Sequence, residues 1–274
     1  MQISWGAYKT SLTYCLIVLL FFLPISISIS IKLKDSAEPQ PLVIEIPDLP
    51  DEIPDFASIN DVQVKKQSFF NFIEPFVDQV NIEIIQQRQR VLAIQAKMQD
   101  GEELSASDLR HLSTLAELYE LDTDDLTDAE FLTVLLRRVD KIPASLALAQ
   151  AANESAWGTS RFAQQGNNYF GQWCYSDGCG LVPNRRREGA THEVRSFDSV
   201  KDSVKAYIHN LNTFPSYQML RRIRQQLRVQ NKPVDGASLT DGLESYSSRG
   251  HDYIDELQNM IYSNNLLSRD NPTL

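Results

Sequence analysis

Residues 143–158 read PASLALAQAANESAWG, and the fold and the chemistry both follow from them. Pro143 suits the first turn of a helix and Gly158 its C-terminal stop. Between them small residues occupy almost every side, as in a helix packed closely on all faces. The stretch therefore predicts the buried central helix of a small domain. Its one acid, Glu154, lies near the C-terminal end, where a negative charge opposes the helix dipole. Glu154 shares a face with Ala147, Gln150, Ala151 and Trp157 at offsets of −7, −4, −3 and +3. Apolar surroundings raise a carboxyl pKa by disfavouring the charged form. A carboxyl kept protonated near neutral pH is what a general acid requires.

Working outward, Thr127 followed by Glu130 makes a capping box for a helix running to about Val139. Ser107 opens another helical stretch. Further back, Phe69, Phe72, Ile73, Phe76, Val77 and Val80 recur at helical spacing from Val64. A second periodic stretch runs from about Ile82 to Met98 and closes at Asp100-Gly101. Five prolines between Pro39 and Pro54, with eight acids and no base from Asp35 to Asp61, predict an extended acidic tether. Before it, Tyr14 to Ile31 is an uncharged 18-residue run, expected to be an export signal or a membrane anchor. The expected organisation is residues 1–32 as signal peptide or membrane anchor, 33–62 as Pro-rich acidic linker, 63–137 as helical region and 138–270 as catalytic domain.

The chain has 274 residues, 42% of them hydrophobic, enough to bury a sizeable core, and a formal charge of −10. That charge argues against simple nucleic-acid binding. The distribution is uneven, with eleven bases against four acids from Pro183 to Lys232. A surface facing an anionic polymer, or a solvated basic helix around Arg221, Arg222, Arg224 and Arg228, would account for it.

Cys15 lies in the apolar run, which leaves Cys174 and Cys179. In an oxidising compartment this C-x4-C pair reads as a disulfide-closed loop turning at Asp177-Gly178, ahead of free thiols and of a zinc site. The four histidines show no ligand spacing, so neither a metal nor a cofactor is expected. After Gly158, Gly166-Asn167-Asn168 is a turn, residues 169–173 an aromatic extended piece, and Arg187-Glu188-Gly189-Ala190 a hairpin turn. Aromatic faces beside Asn, Gln and a carboxylate suit carbohydrate.

Four segments in order, AQAANESAWGTSRFA, GNNYFGQW, SFDSVKDSVKAYIHNL and LESYSSRGHDYIDELQNMI, resemble the motifs of the bacterial glucosaminidase domain. That is glycoside hydrolase family 73, which includes flagellar muramidase-like hydrolases and autolysins, and the WCYSDGCGLVP stretch looks most like its Bax-type branch. The resemblance covers roughly residues 138–267. It implies an α+β fold, a mostly helical lysozyme-like domain with a small β-hairpin lobe, here preceded by a helical region.

It also implies a peptidoglycan hydrolase that cuts after N-acetylglucosamine, exported to the periplasm or cell envelope and tethered to the membrane if the N-terminal segment stays uncleaved. Glu154 matches the family's general acid and Tyr246 its late tyrosine, while the following Asp252 is displaced from the family's acid. Asn168, Phe170, Gly171 and Trp173 fall where the family lines its cleft, with Trp157 beside them. Glu193, ahead of Glu188, is the expected second carboxylate, and attack by the substrate's own acetamide would need neither. A lytic transglycosylase and a non-catalytic wall-binding protein are the competing readings.

Overall fold

The computed structural model describes residues 46–122, 126–184 and 186–270. The apolar run 14–31 lies outside them, and among the described residues no helix is long and apolar enough to cross a membrane. The described helices, in chain order, are α1 (Val62–Gln99), α2 (Ala106–Leu118), α3 (Asp128–Arg138), α4 (Ala144–Ser155), α5 (Arg161–Gly166), α6 (Val200–Thr213), α7 (Gln218–Val229), α8 (Gly236–Leu239) and α9 (His251–Ser263). Three short strands, β1 (Trp173–Cys174), β2 (Gly180–Leu181) and β3 (Glu193–Arg195), lie between α5 and α6. The protein is therefore mostly helical with a small sheet, the α+β class that was expected.

The lobe is more than the hairpin foreseen. β3 pairs antiparallel with both β1 and β2, in the order β1-β3-β2. Trp173 faces Val194 and Cys174 faces Glu193 on one side, and Leu181 faces Val194 on the other.

α4 is the buried centre, with Ala144 to Ala152 all inaccessible. It packs against α1, α8, α9 and the closing turn Leu266–Arg269. Pro143 precedes its first turn without a side-chain cap, and the task falls to Asp270. That carboxylate accepts from Ser145 N at 2.8 Å and Ser145 Oγ at 2.7 Å, an acid at the positive end of the dipole.

The two helices expected from 64 to 98 are one. α1 runs unbroken for 38 residues through Pro75, about 57 Å at 1.5 Å per residue. Asn81 lies between the two expected stretches, inside the single helix. Its amide is buried, donates to Ile142 O at 2.8 Å and accepts from Ile142 N at 3.1 Å, pairing the backbone that enters α4. The capping box at Thr127 and Glu130 forms as expected. The helix expected from Ser107 starts instead at Ala106, capped by Ser105 with Asp108.

Residues 46–61 of the predicted tether lie on the body. Gln79 donates to Pro47 O, and Phe56 is buried with its ring 5.4 Å from Phe69 and 5.7 Å from Phe72. It fills the space beside Gly158, where a Cβ would stand 2.5 Å from the Phe56 ring.

The basic helix foreseen around Arg221 to Arg228 is solvated only in part, with Arg222 exposed. Arg221 and Arg224 are buried. Arg221 donates to Leu211 O and Phe214 O, and Arg224 to the carbonyls of Arg137, Asp140 and Lys141. Arg221 thus closes the C-terminal end of α6 and Arg224 that of α3, where cations complement the dipole.

On α1, Asp78 is pushed up to about 6, first by burial and then by Glu74 and Asp270, against Lys141. A raised folded-state pKa means that stability present below pH ~4 is lost as pH rises through 6. Asp78→Asn is therefore expected to melt above the wild type at pH 8 and level with it at pH 4. Equal melting temperatures at both pH values would refute this.

Candidate active site

Glu154 occupies the last turn of α4, half-buried, and the chain leaves that turn by an unusual route. Ala156, Trp157 and Gly158 all take left-handed backbone, with φ of 50°, 58° and 76°. For the first two this costs about 1–2 kcal/mol each. Such strain concentrates at functional sites. Here it stops α4 within a residue of the acid, and Ser155 Oγ fixes the exit by accepting from Gly158 N at 2.8 Å.

Two groups order the carboxylate. Tyr253 of α9 donates to Glu154 Oε1 at 2.8 Å, and Asn153 Nδ2 does so at 3.4 Å. Tyr253 in turn accepts from Gln150 Nε2 at 3.0 Å, and Gln150 Oε1 accepts from Tyr207 at 2.7 Å. The chain Tyr207, Gln150, Tyr253, Glu154 thus passes hydrogen bonds in one direction and fills Oε1. A proton on Glu154 is left to Oε2. That oxygen faces Gly171, where a Cβ would lie 3.5 Å away and where φ is +63°. Burial pushes the Glu154 carboxyl above its ordinary range, against the hydrogen bonds from Tyr253 and Asn153 and the charge of Arg249, while Glu256 adds to the rise.

Removing the Tyr253 hydroxyl takes away a donor that favours the ionised acid. The pKa of Glu154 then rises further. Tyr253→Phe is expected to move the falling, alkaline limb of the pH–rate profile to higher pH, and a limb that stays in place would show that the bond does not tune the acid.

The remaining predicted residues divide by environment. Gly171 borders the acid. Trp173 is 56% exposed on β1 and stacks on His192 at 4.2 Å. Next to Gly171, Gln172 Oε1 is shielded from solvent and accepts no hydrogen bond from the described residues. Asn168 is buried, donates to Gln172 O and Arg195 O, and accepts from Phe170 N and Gln172 N. Its side chain builds the turn from 168 to 172. Phe170 is buried and stacks on Tyr207 at 3.9 Å. Trp157 packs on Phe69 and Phe70 of α1, with Lys66 Nζ 5.2 Å from its ring centroid. Tyr246 lies parallel to Tyr253 at 5.6 Å and donates to Phe170 O at 3.0 Å, so it backs Tyr253 and holds the turn.

Glu193 is buried in the lobe. Its two oxygens accept from Gly178 N at 3.2 Å and Gly180 N at 2.8 Å. The loop it holds is closed by the Cys174–Cys179 disulfide. Each sulfur is spent on the other, so this trio, although clustered within 4.8 Å, offers no thiolate to a metal. Glu188 is exposed at the Arg187–Ala190 turn, and Asp252 is exposed in the first turn of α9.

Sequence reading missed Tyr253, Gln150 and Tyr207 as parts of the site. Gln150 carried a signal, since it stands one turn before Glu154 on the same face.

Residues 133–266 match the family described as mannosyl-glycoprotein endo-beta-N-acetylglucosaminidase. The chain is 32% identical over 215 residues to Protein bax of Escherichia coli (strain K12), covering 78% of this chain and 75% of that protein. Among solved structures it is similar to the catalytic domain of the autolysin Auto from Listeria monocytogenes. That similarity has a TM-score of 0.38 and 18% identity, over 78% of this chain and 92% of the other.

Proposed function

Because the chain belongs to the glucosaminidase family, we infer that it is a peptidoglycan hydrolase of the cell envelope that cleaves the β-1,4 bond after N-acetylglucosamine. Glu154 is the general acid. The observation that carries this reading is its carboxyl, raised by burial, with Oε1 held by Tyr253 and Oε2 facing Gly171.

The proton on Oε2 passes to the glycosidic oxygen as the bond to C1 breaks. The carboxylate left behind keeps the bonds from Tyr253 and Asn153, which favour its charge. Gly171 lets the sugar approach, because any side chain there would stand against Oε2. Exposed Trp173 offers a ring face to a sugar. Asn168, Phe170, Trp157 and Tyr246 support this surface from behind.

Purified peptidoglycan digested with the protein, reduced with borohydride and analysed by mass spectrometry tests the reading. Reduced N-acetylglucosamine ends are the expected product. Anhydromuramyl ends would make the protein a lytic transglycosylase, and tight binding to sacculi without any product would make it a wall-binding protein.

A further inference from the structure

Asp140 balances one positive charge where four converge. Its buried carboxylate lies within 3.7 Å of Arg88, Arg224 and Arg228, and Arg137, in the last turn of α3, is the fourth. Burial depresses both Arg88 and Arg224 first; Asp140 offsets this in part, and the neighbouring arginines add to it. One carboxylate leaves such a cluster with an excess of positive charge.

A cavity of about 190 Å³ opens beside the cluster, between α1, α3 and α7. Arg88, Arg137 and Arg228 line it, with Asp140 as the one acid on its wall. The donors there are only partly used. Arg137 gives Nε to Gln225 Oε1 at 2.7 Å, Arg228 gives Nε and Nη2 to Asp140, and Arg88 gives Nη1 to Leu136 O and Val139 O. Arg137 Nη1 and Nη2, Arg228 Nη1 and the Gln225 amide nitrogen make no hydrogen bond with the described residues. Gln95, two turns after Arg88 on the same face of α1, brings another amide to the wall.

We infer that this cavity binds one phosphate group. Guanidinium forks match phosphate oxygens two at a time. A carboxylate would add a single negative charge, whereas a phosphate monoester adds about 1.5 to 2 near pH 7 and comes closer to the excess. The cavity is smaller than the roughly 300–1,000 Å³ of pockets that enclose larger organic ligands, so the group enters as the free ion or as the end of a phosphomonoester. The site is separate from the acid. α4 lies between Asp140 and Glu154, with twelve residues and a length of about 18 Å. Occupancy therefore stabilises the meeting of α1, α3 and α7 and leaves the cleft chemistry alone, whatever bond the protein cuts.

The test melts the full chain in rising concentrations of inorganic phosphate, with chloride holding the ionic strength constant, and then in glucose 6-phosphate. A saturable rise in melting temperature of about 5 °C or more is expected in phosphate. An equal rise in glucose 6-phosphate makes the ligand the end of a phosphomonoester, and no rise in that compound makes it the free ion. Arg137→Gln, which removes two of the unused donors, is expected to lose most of the rise. Gln95→Glu keeps every arginine in place but brings a competing carboxylate to the wall, and it is expected to lose most of the rise as well. A wild type whose melting temperature shows no saturable response to phosphate overturns the assignment. So does a response that persists undiminished in Gln95→Glu or in folded Arg137→Gln, because the ion would then be acting on the protein's charge at large.

Discussion

Glu154→Gln is expected to lower kcat on peptidoglycan by about 10²–10⁴-fold while KM stays near the wild-type value. The substitution preserves shape, and the new amide oxygen can still accept from Tyr253. Only the transferable proton is lost, so the effect falls on the chemical step and not on binding. The sign of the pH dependence follows from the same group. Burial raises its pKa, the acid is competent while protonated, and wild-type activity falls as pH rises through that pKa. Counting reducing ends released by each protein across pH checks both statements. Wild-type rates from Glu154→Gln would remove the acid from Glu154.

Asp140→Ala is expected to be the most destabilising of these changes, by about 3–5 kcal/mol. The carboxylate is buried among Arg88, Arg224 and Arg228, at 3.5, 3.7 and 2.5 Å. Burial raises its pKa, but the charges of Arg224, Arg228 and Arg88 outweigh that and hold it low. Its contribution is therefore present above the ordinary carboxylate range and lost only as pH falls through the depressed value. Without it, three guanidiniums are left with no anion between them, Arg88 and Arg224 beside the carbonyls at the end of α3. A fall in melting temperature of about 10 °C corresponds to that loss in a body of this size. A fall under 2 °C would mean that those carbonyls alone compensate the arginines.

What the sequence revealed depended on how far apart the cooperating residues are. Glu154 was legible because its oddity is local, an acid at the wrong end of a helix of small residues. The Thr127–Glu130 cap was legible for the same reason. The partners of Glu154 were not. Gln150 meets Tyr253 across 103 residues and Tyr207 across 57, and no periodicity encodes a hydrogen bond between distant tyrosines.

Glu193 was placed on the right strand, but alternation along a strand does not say what each face meets. One face here meets amides of the disulfide loop. Arg221 and Arg224 of α7 misled because charged residues suggest a solvated surface, whereas these two are buried with backbone carbonyls as partners.

α1 bears on how this chemistry can be moved between proteins. The family match begins at residue 133, beyond the end of α1. Yet Phe69 and Phe70 of that helix brace Trp157, and Asn81 pairs the backbone at the entry to α4. From residue 46 onward the described residues form one compact unit. The boundary at which homology begins is thus not a seam at which the molecule comes apart. A graft taken from residue 133 would carry the acid without the wall it leans on, and a transplantable version of this enzyme has to start upstream of Phe56.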